Sequence, residues 1–344
     1  MTRPDGLSSR FGDGRCLWPA TRKSLRLMVT QKKVYVDGHA GTTGLRIREW
    51  LGGRSELELI TLPEAQRKDE SARRDAIARA DLAVLCLPDD AAREAAAWAR
   101  AADTRVIDAS TAHRVAKDWV YGLPELDAES RARIRAAACV SNPGCHASSF
   151  ILLVRPLIDA GVLDRRTPLA GHSLSGYSGG GRAKIEKWES ESDGLIGLPY
   201  EAPYAVQQLH KHIPEMVAYA RIEREPFFEP AVGPFYMGMR VQVPLHADWL
   251  GGASAARVFE VFAERYRDEP FVALVPTSET VEETTLDPRV CNQTNRIELR
   301  VIAHPSGHVL LVAVSDNLGK GASGVAIQNL NLMLGFDETA GLPR

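Results

Sequence analysis

Lys33 to Leu51 reads KVYVDGHAGTTGLRIREWL, and the fold follows from it. A short β-branched run ends at a glycine turn, and an amphipathic helix comes next. Gly38, Gly41 and Gly44 recur three residues apart. Such glycines let the chain turn sharply and let a pyrophosphate approach the N–H groups that open the helix, where Thr42 and Thr43 add hydroxyls. Alone, a glycine triplet is a weak signal. Its weight comes from the segments behind it: ELELITL, a polar helix over Glu70 to Ala80, DLAVLCLP, an alanine-rich helix over Asp89 to Ala101, and TRVIDAS. This alternation predicts an α/β fold with a Rossmann-type, doubly wound parallel sheet.

In such sheets an acidic residue closing the second strand holds the ribose of NAD, whereas basic residues there admit the 2′-phosphate of NADP. The second strand here runs into LPEAQRKD. Arg67 and Lys68 therefore favour NADP(H), while Glu64 keeps NAD open and two solvated loop charges are the bland alternative.

VSNPGCHASSF, Val140 to Phe150, puts Cys145 behind Asn142-Pro143-Gly144 and ahead of an apolar run, Phe150 to Leu157, that reads as a helix. A thiol in a first helical turn meets unpaired N–H groups and the positive end of the helix dipole. Cys145 is thus expected to ionise more readily than a free cysteine and to attack carbonyl carbon. A buried structural cysteine is the alternative. Just upstream, DASTAHR offers Ser110 and Arg114. Arg114 is a candidate anchor for an anionic substrate group through bidentate hydrogen bonds, with Ser110 and Asn142 as further substrate contacts; a surface salt bridge is the competing reading.

From about Thr167 to Ser315 the βα rhythm stops. Strand-like runs (LAGHSLSGYS, PFYMGMRVQVPL, NRIELRVIA, HVLLVAVS) and one clear helix, Ser254 to Arg265, predict a second, α+β domain with a largely antiparallel sheet. SGYSGGGRAK, beginning at Ser175 and Gly176, is rich enough in small residues to close a backbone loop over an anion of the cofactor. LHKHIPEM carries His210 and His212 just before Pro214-Glu215 opens a helix. A thiolate enzyme needs an acid/base near neutrality; either His210 or His212 suits, and Glu215 is expected to orient one ring. His-x-His lacks a third ligand of suggestive spacing, so no metal is expected. Finally, in DNLGKGASGVAIQNLNLMLGF, Asn317 and the loop to Gly321 are expected to return to the nicotinamide. The helix that follows would complete the outer layer of the nucleotide domain.

Composition bounds the rest. A chain of 344 residues, 44% hydrophobic and 25% charged, suits two globular domains. The expected division is 33–144 with 317–344 for nucleotide binding and 145–316 for catalysis and dimerisation. A net charge of −2 offers no broad attraction to nucleic acid or anionic lipid, which points to a small-molecule partner. No apolar run approaches bilayer length. Cys16, Cys86, Cys139, Cys145 and Cys291 are odd in number and contain no C-x-x-C pair, which argues against a disulfide framework or zinc cluster and for a reducing cytoplasm. The first 32 residues lack apolar periodicity and read as an extension, either a transit peptide or the result of a mis-set start with Met28 as the true one. An extended sheet in the second domain suits a homo-oligomer, a dimer or tetramer.

GHAGTTGLRI, NPGCHAS, HKHIPE and DNLGKGA with QNLNLMLGF and a closing GL stand in an order that closely resembles the short type of the N-acetyl-gamma-glutamyl-phosphate reductase family. The resemblance runs from about Val34 to the end. That family is similar in fold to aspartate-semialdehyde dehydrogenase and the phosphorylating glyceraldehyde dehydrogenases. The resemblance implies a nucleophile at Cys145, a catalytic histidine within HKHIPE, with His212 slightly preferred over His210, and NADPH as cofactor. It also implies a reaction: NADPH-dependent reductive dephosphorylation of N-acetylglutamyl 5-phosphate to N-acetylglutamate 5-semialdehyde, through a cysteine thioester, in arginine biosynthesis. The same chemistry on aspartyl phosphate or a carrier-bound aminoadipyl phosphate is the nearest alternative. A non-catalytic nucleotide-binding regulator is the alternative of another class. The long N-terminal extension departs from the short-type pattern.

Overall fold

The protein is described by a computed structural model over residues 31–39, 41–276, 282 and 284–344. Expectations that concern residues 1–30, Cys16 and Met28 among them, lie outside these. The expected boundary at residue 32 moves slightly, because Lys32 already pairs with Leu57 in the first strand.

The first part alternates as its periodicity predicts: β1 (Lys32–Asp37), α1 (Thr42–Leu51), β2 (Leu57–Ile60), α2 (Glu70–Ala78), β3 (Leu82–Leu85), α3 (Asp89–Ala101) and β4 (Arg105–Asp108). Then come β5 (Val120–Tyr121), α4 (Ser130–Ala136) and β6 (Cys139–Ser141). These six strands form one sheet in the order β2-β1-β3-β4-β6-β5, with every pairing parallel. The central strand β3, LAVL, is buried at all its positions, as a strand covered on both faces must be. In-register pairing brings the carboxyl ends of β1, β3, β4 and β6 to one edge, so that Gly38, Cys86, Ala109 and Asn142 follow side by side. Gly38 has φ +80°, and a Cβ there would stand 2.2 Å from the Cys86 carbonyl oxygen. Only glycine fits both the angle and the approach.

Helix α5 (Cys145–Asp159) leads into the second part. There follow β7 (Ala170–Gly176), α6 (Arg182–Glu189), β8 (Ala202–Pro203), α7 (Ile213–Ala220), β9 (Phe227–Gly233) and β10 (Met239–Leu245). The chain closes with α8 (Ala255–Arg265), β11 (Val272–Leu274), β12 (Ile297–Ala303), β13 (Val309–Ser315) and α9 (Gly324–Leu334). The second sheet has the order β11-β12-β13-β10-β7-β9-β8 and is antiparallel except for the β7–β9 and β11–β12 pairs. Strand β9, FFEPAVG, is absent from the runs that the sequence reveals. Pro230 in its middle removes a ladder donor, which argues against a strand except near a sheet edge, where β9 lies beside the two-residue β8.

Phe150 to Leu157 of α5 are all buried, against β10, β13, α7 and α8. Each such Leu, Ile or Phe contributes about 1.5–3 kcal/mol, so the helix carrying Cys145 is firmly anchored. Pro156 inside it has no N–H to give the Leu152 carbonyl, and the Tyr266 hydroxyl donates to that oxygen instead at 2.6 Å.

Helix α9 departs from expectation. It is no outer layer: Gln328, Asn329 and Asn331 are completely buried. Their amides are occupied by the Lys320 ammonium, the Gly122 carbonyl and the Ala340 carbonyl in turn. The reason is the tail beyond Gly335, which folds back over the helix and supplies Glu338 and Ala340 as partners.

Candidate active site

The loops at the strand ends enclose a cavity of about 550 Å³, walled by Gly41, Thr42, Thr43, Gly44, Ser110, Arg114, Asn142, Cys145, Ser175, Gly176, His210, His212 and Asn317. A second cavity of about 340 Å³ lies beside Gly38 and Gly41 and is lined by Arg67, Lys68 and Arg73. Of the residues singled out from sequence for the site, Glu215 and Glu64 line neither.

Cys145 is the first residue of α5, behind an N-cap, Gly144, that carries no capping side chain. A Cβ on Gly144 would lie 2.5 Å from both the Arg114 guanidinium and His212 Nε2, so both groups press on the turn that presents Cys145. The Cys145 sulfur and one ring nitrogen each of His146 and His212 lie within 4.8 Å of one another. Burial pushes the Cys145 thiol above its ordinary range, while Arg114, the His146 N–H and Lys211 pull it back only in part. This corrects the expectation of a readily ionised cysteine. Desolvation outweighs the helix start, and the thiol needs a base.

Three histidines surround it, and their hydrogen bonds distinguish them. The His212 backbone N–H donates to His210 Nδ1 at 3.2 Å. An amide can only donate, so Nδ1 is unprotonated and His210 carries its proton on Nε2, facing the Tyr204 hydroxyl at 3.3 Å. Tyr204 in turn donates to His146 Nε2 at 3.0 Å, and His146 Nδ1–H meets Ser173 Oγ at 2.8 Å. Burial lowers His146 to about 3 and His210 to about 4, which keeps both neutral. His212 is driven well below its ordinary value, by burial first and then by Arg114. Its Nδ1 is buried without a partner and its Nε2 faces the Gly144 turn. With both His146 nitrogens engaged, the trio with Cys145 is arranged for proton transfer rather than for holding an ion.

Glu215 does not orient a histidine. It accepts from the Arg114 guanidinium at 2.7 Å, the Tyr121 hydroxyl at 2.8 Å and the Gly144 N–H at 2.9 Å. Helix α7 points it under the start of α5, where three donors balance one buried charge. Arg114 is engaged as well, giving Nε to the Asn142 carbonyl at 3.0 Å, so it has no free fork for a substrate anion. Ser110 donates to Asp108, Asn142 donates to the Ala322 carbonyl, and Asn317 bridges the Gly238 N–H and Ser178 Oγ. These side chains shape the wall. The sequence reading missed His146, Tyr204, Lys184 and Lys211. His146 and Lys211 stand inside the quoted motifs beside the chosen residues, whereas Tyr204 belongs to a loop with no periodic signal.

The opposite wall suits a dinucleotide. Helix α1 opens after Gly41 with no side-chain cap and no acidic residue in its first turn, leaving its first N–H groups to an anion. Arg67, paired with Glu64 at 2.8 Å, and Lys68 line the smaller cavity, while Glu64 does not. Arg73 from α2 joins them, gripping Asp37 at 3.0 Å and lying over the Trp98 ring. This concentration of positive charge fits the 2′-phosphate of NADP.

Comparison with known proteins agrees with the geometry. Residues 33–134 match the family model described as semialdehyde dehydrogenase, NAD binding domain, and residues 145–317 the one described as semialdehyde dehydrogenase, dimerisation domain. The class is thus that of the semialdehyde dehydrogenases, nicotinamide-dependent oxidoreductases. The chain is 47% identical over 304 residues to N-acetyl-gamma-glutamyl-phosphate reductase 2 of Pseudomonas putida, covering 88% of this chain and 96% of that one. To the N-acetyl-gamma-glutamyl-phosphate reductase of Rhizobium meliloti it is 44% identical over 306 residues, 88% of this chain and 98% of that one. The chain belongs to the N-acetyl-gamma-glutamyl-phosphate reductase family. Among solved structures, aspartate semialdehyde dehydrogenase II of Vibrio cholerae superposes with a TM-score of 0.68 at 17% identity, covering 89% of this chain and 99% of that one. The NADP-bound aspartate semialdehyde dehydrogenase of Candida albicans gives 0.63 at 16% identity over the same shares. At those identities the likeness concerns the fold.

Proposed function

We propose that this chain reduces N-acetylglutamyl 5-phosphate to N-acetylglutamate 5-semialdehyde, in arginine biosynthesis, through a thioester on Cys145. The observation that carries this reading is the pairing of Cys145 at the start of α5 with His212 Nε2 across Gly144, in a cavity whose other wall is the open start of α1. His212 takes the thiol proton, and the Cys145 sulfur attacks the acyl carbon. The carbon–oxygen bond to phosphate breaks and phosphate leaves with its electron pair, accepting the proton from His212. NADPH, when bound by the Gly38 to Gly44 turn with Arg67 and Lys68, supplies the hydride that reduces the acyl group. The tetrahedral oxyanion on the Cys145 adduct collapses to aldehyde, and the thiolate regains a proton through His212. Gly144 N–H is engaged with Glu215, so the oxyanion must find other donors at the helix start.

In this reading Glu215 and Arg114 position the nucleophile's turn, and His210 positions His212. Ser110, Asn142, Ser175, Gly176 and Asn317 shape the walls. Residues 33–144 with 317–344 bind the nucleotide, and 145–316 carry catalysis and self-association as a dimer or tetramer. A reducing cytoplasm is the fitting compartment, because Cys145 works only as a free thiol. No helix among the described residues is long and apolar enough to cross a membrane.

The test runs the reaction backwards, because the acyl phosphate is labile: N-acetylglutamate 5-semialdehyde with NADP or NAD, with and without phosphate or arsenate. Reduction of NADP that requires phosphate or arsenate is expected. Equal rates without either anion would remove the acyl-phosphate step. Aspartate semialdehyde and carrier-bound aminoadipate semialdehyde, assayed beside it, separate the alternative substrates.

A further inference from the structure

Lys184, in the first half of α6, lines the large cavity with its ammonium 4.2 Å from the centroid of the Tyr204 ring. Its stem lies against Gly180: a Cβ there would stand 2.1 Å from Lys184 Cδ and 2.6 Å from its Cβ. A glycine at position 180 is what lets the side chain fold back into the cavity. Among the described residues no carboxylate or carbonyl accepts from the Lys184 ammonium, although the neighbouring Arg182 pairs with Glu186. Half-buried, the ammonium feels only the cost of burial and the like charge of Lys187, and both lower its proton affinity. A cation held there without a partner awaits an anion.

The charges of two other cations act on the sulfur. Arg114 presses on the Gly144 turn, and Lys211 lies between His210 and His212 in the chain; the charges of both act on the Cys145 thiol. The Lys184 charge acts instead on His146 and His210. An N-acetylglutamyl phosphate is itself anionic at both ends. Its phosphate is bonded directly to the carbon that Cys145 attacks, whereas its α-carboxylate is four bonds from that carbon, roughly 5 Å in extended form.

Resting on the substrate proposed above, we infer that Lys184 reads the α-carboxylate, leaving the phosphate to Lys211, which lines the same cavity. Tyr204 is the floor on which the ammonium rests, and it joins the carboxylate reader to the histidine chain. Lys184 is thereby the residue that demands an amino-acid-derived substrate rather than a simple aldehyde.

The experiment compares wild type, Lys184→Met and Lys184→Arg in the phosphate-dependent reverse reaction on N-acetylglutamate 5-semialdehyde and on 4-acetamidobutanal, the same aldehyde without its carboxylate. With the full substrate, Lys184→Met should raise KM about tenfold to hundredfold, as loss of a charged hydrogen bond does. The KM values for phosphate and NADP should stay within about twofold. On 4-acetamidobutanal, Lys184→Met and wild type should be equal, and Lys184→Arg should recover most of the loss. A raised KM for phosphate, an equal loss on both aldehydes, or an unchanged KM in an active enzyme overturns the assignment alone. A wild type inactive on N-acetylglutamate 5-semialdehyde overturns the substrate reading and the assignment together.

Discussion

The two walls of the cavity are built in opposite ways. On the nucleotide side polar groups are left facing a ligand: α1 begins without a cap, and Lys68 and the Glu64-paired Arg67 line a cavity. On the catalytic side almost every polar group is engaged. Glu215 holds three donors, Arg114 is tied to Glu215 and Asn142, and His146 and His210 use both ring nitrogens. The open wall binds a ligand that arrives with its own charge. The engaged wall holds a geometry, and among the described residues its free groups include the Cys145 sulfur, His212 Nε2 and the Lys184 ammonium. Preorganisation of this kind spares reorganisation during reaction.

The largest effect should come from removing the group that the engaged wall exists to present. Cys145→Ser is expected to lower turnover by on the order of a thousandfold or more while NADPH still binds, read by steady-state rates and by nucleotide fluorescence. Near-normal turnover would end the covalent mechanism. In the unmodified enzyme, alkylation of Cys145 should have its half-rise at a higher pH than that of a free thiol, because burial raises it.

The histidine pair sharpens the comparison next. His212→Asn should lower kcat by about a hundredfold or more, the usual share of an acid/base, while His210→Asn should cost about tenfold or less. The reverse order would show that the amide-directed chain has been read in the wrong direction.

A third outcome concerns stability. His146 and His210 are held at about 3 and 4, and His212 lower than ordinary, so the fold resists protons that the unfolded chain accepts near pH 6.5. Stability is therefore full above pH 6.5 and falls as pH drops below it, by up to about 1.4 kcal/mol per pH unit for each histidine. Urea titrations between pH 7 and 5 should show this slope, and His210→Asn should remove one histidine's share. A flat profile would mean that the imidazoles are not held neutral.

The smallest effect belongs to the open wall. Replacing both Arg67 and Lys68 with Ala should raise KM for NADP about tenfold and leave KM for NAD nearly unchanged, since exposed charges are worth little each. An equal change for both nucleotides would place the 2′-phosphate elsewhere, with Arg73 the first alternative.

Much of this was legible in one dimension. Alternating β-branched and helical periodicities, the glycines from 38 to 44 and the proline-glycine turn before Cys145 act over a few residues. Local sequence therefore determined the parallel sheet, the glycine turn at its edge and the place of Cys145 at a helix start. It also narrowed the proposed acid/base to two histidines. Strand β9 stayed hidden because Pro230 obscured it, and the burial of α9 because the tail that covers it has no periodicity.

The remaining decisions are tertiary because they rest on partners far apart in the chain. Glu215 is 71 residues from the Gly144 N–H and 101 from Arg114, and no local pattern tells it to choose them over a histidine three or five residues away. Packing chose, by placing α7 beneath α5. The same packing brought Tyr204 between His146 and His210, raised the Cys145 thiol by burial and left Lys184 facing the cavity without a partner. Sequence spacing determines which side chains share an element. Which hydrogen bonds are already taken, and hence which atoms are free to react, is decided only once the elements are packed.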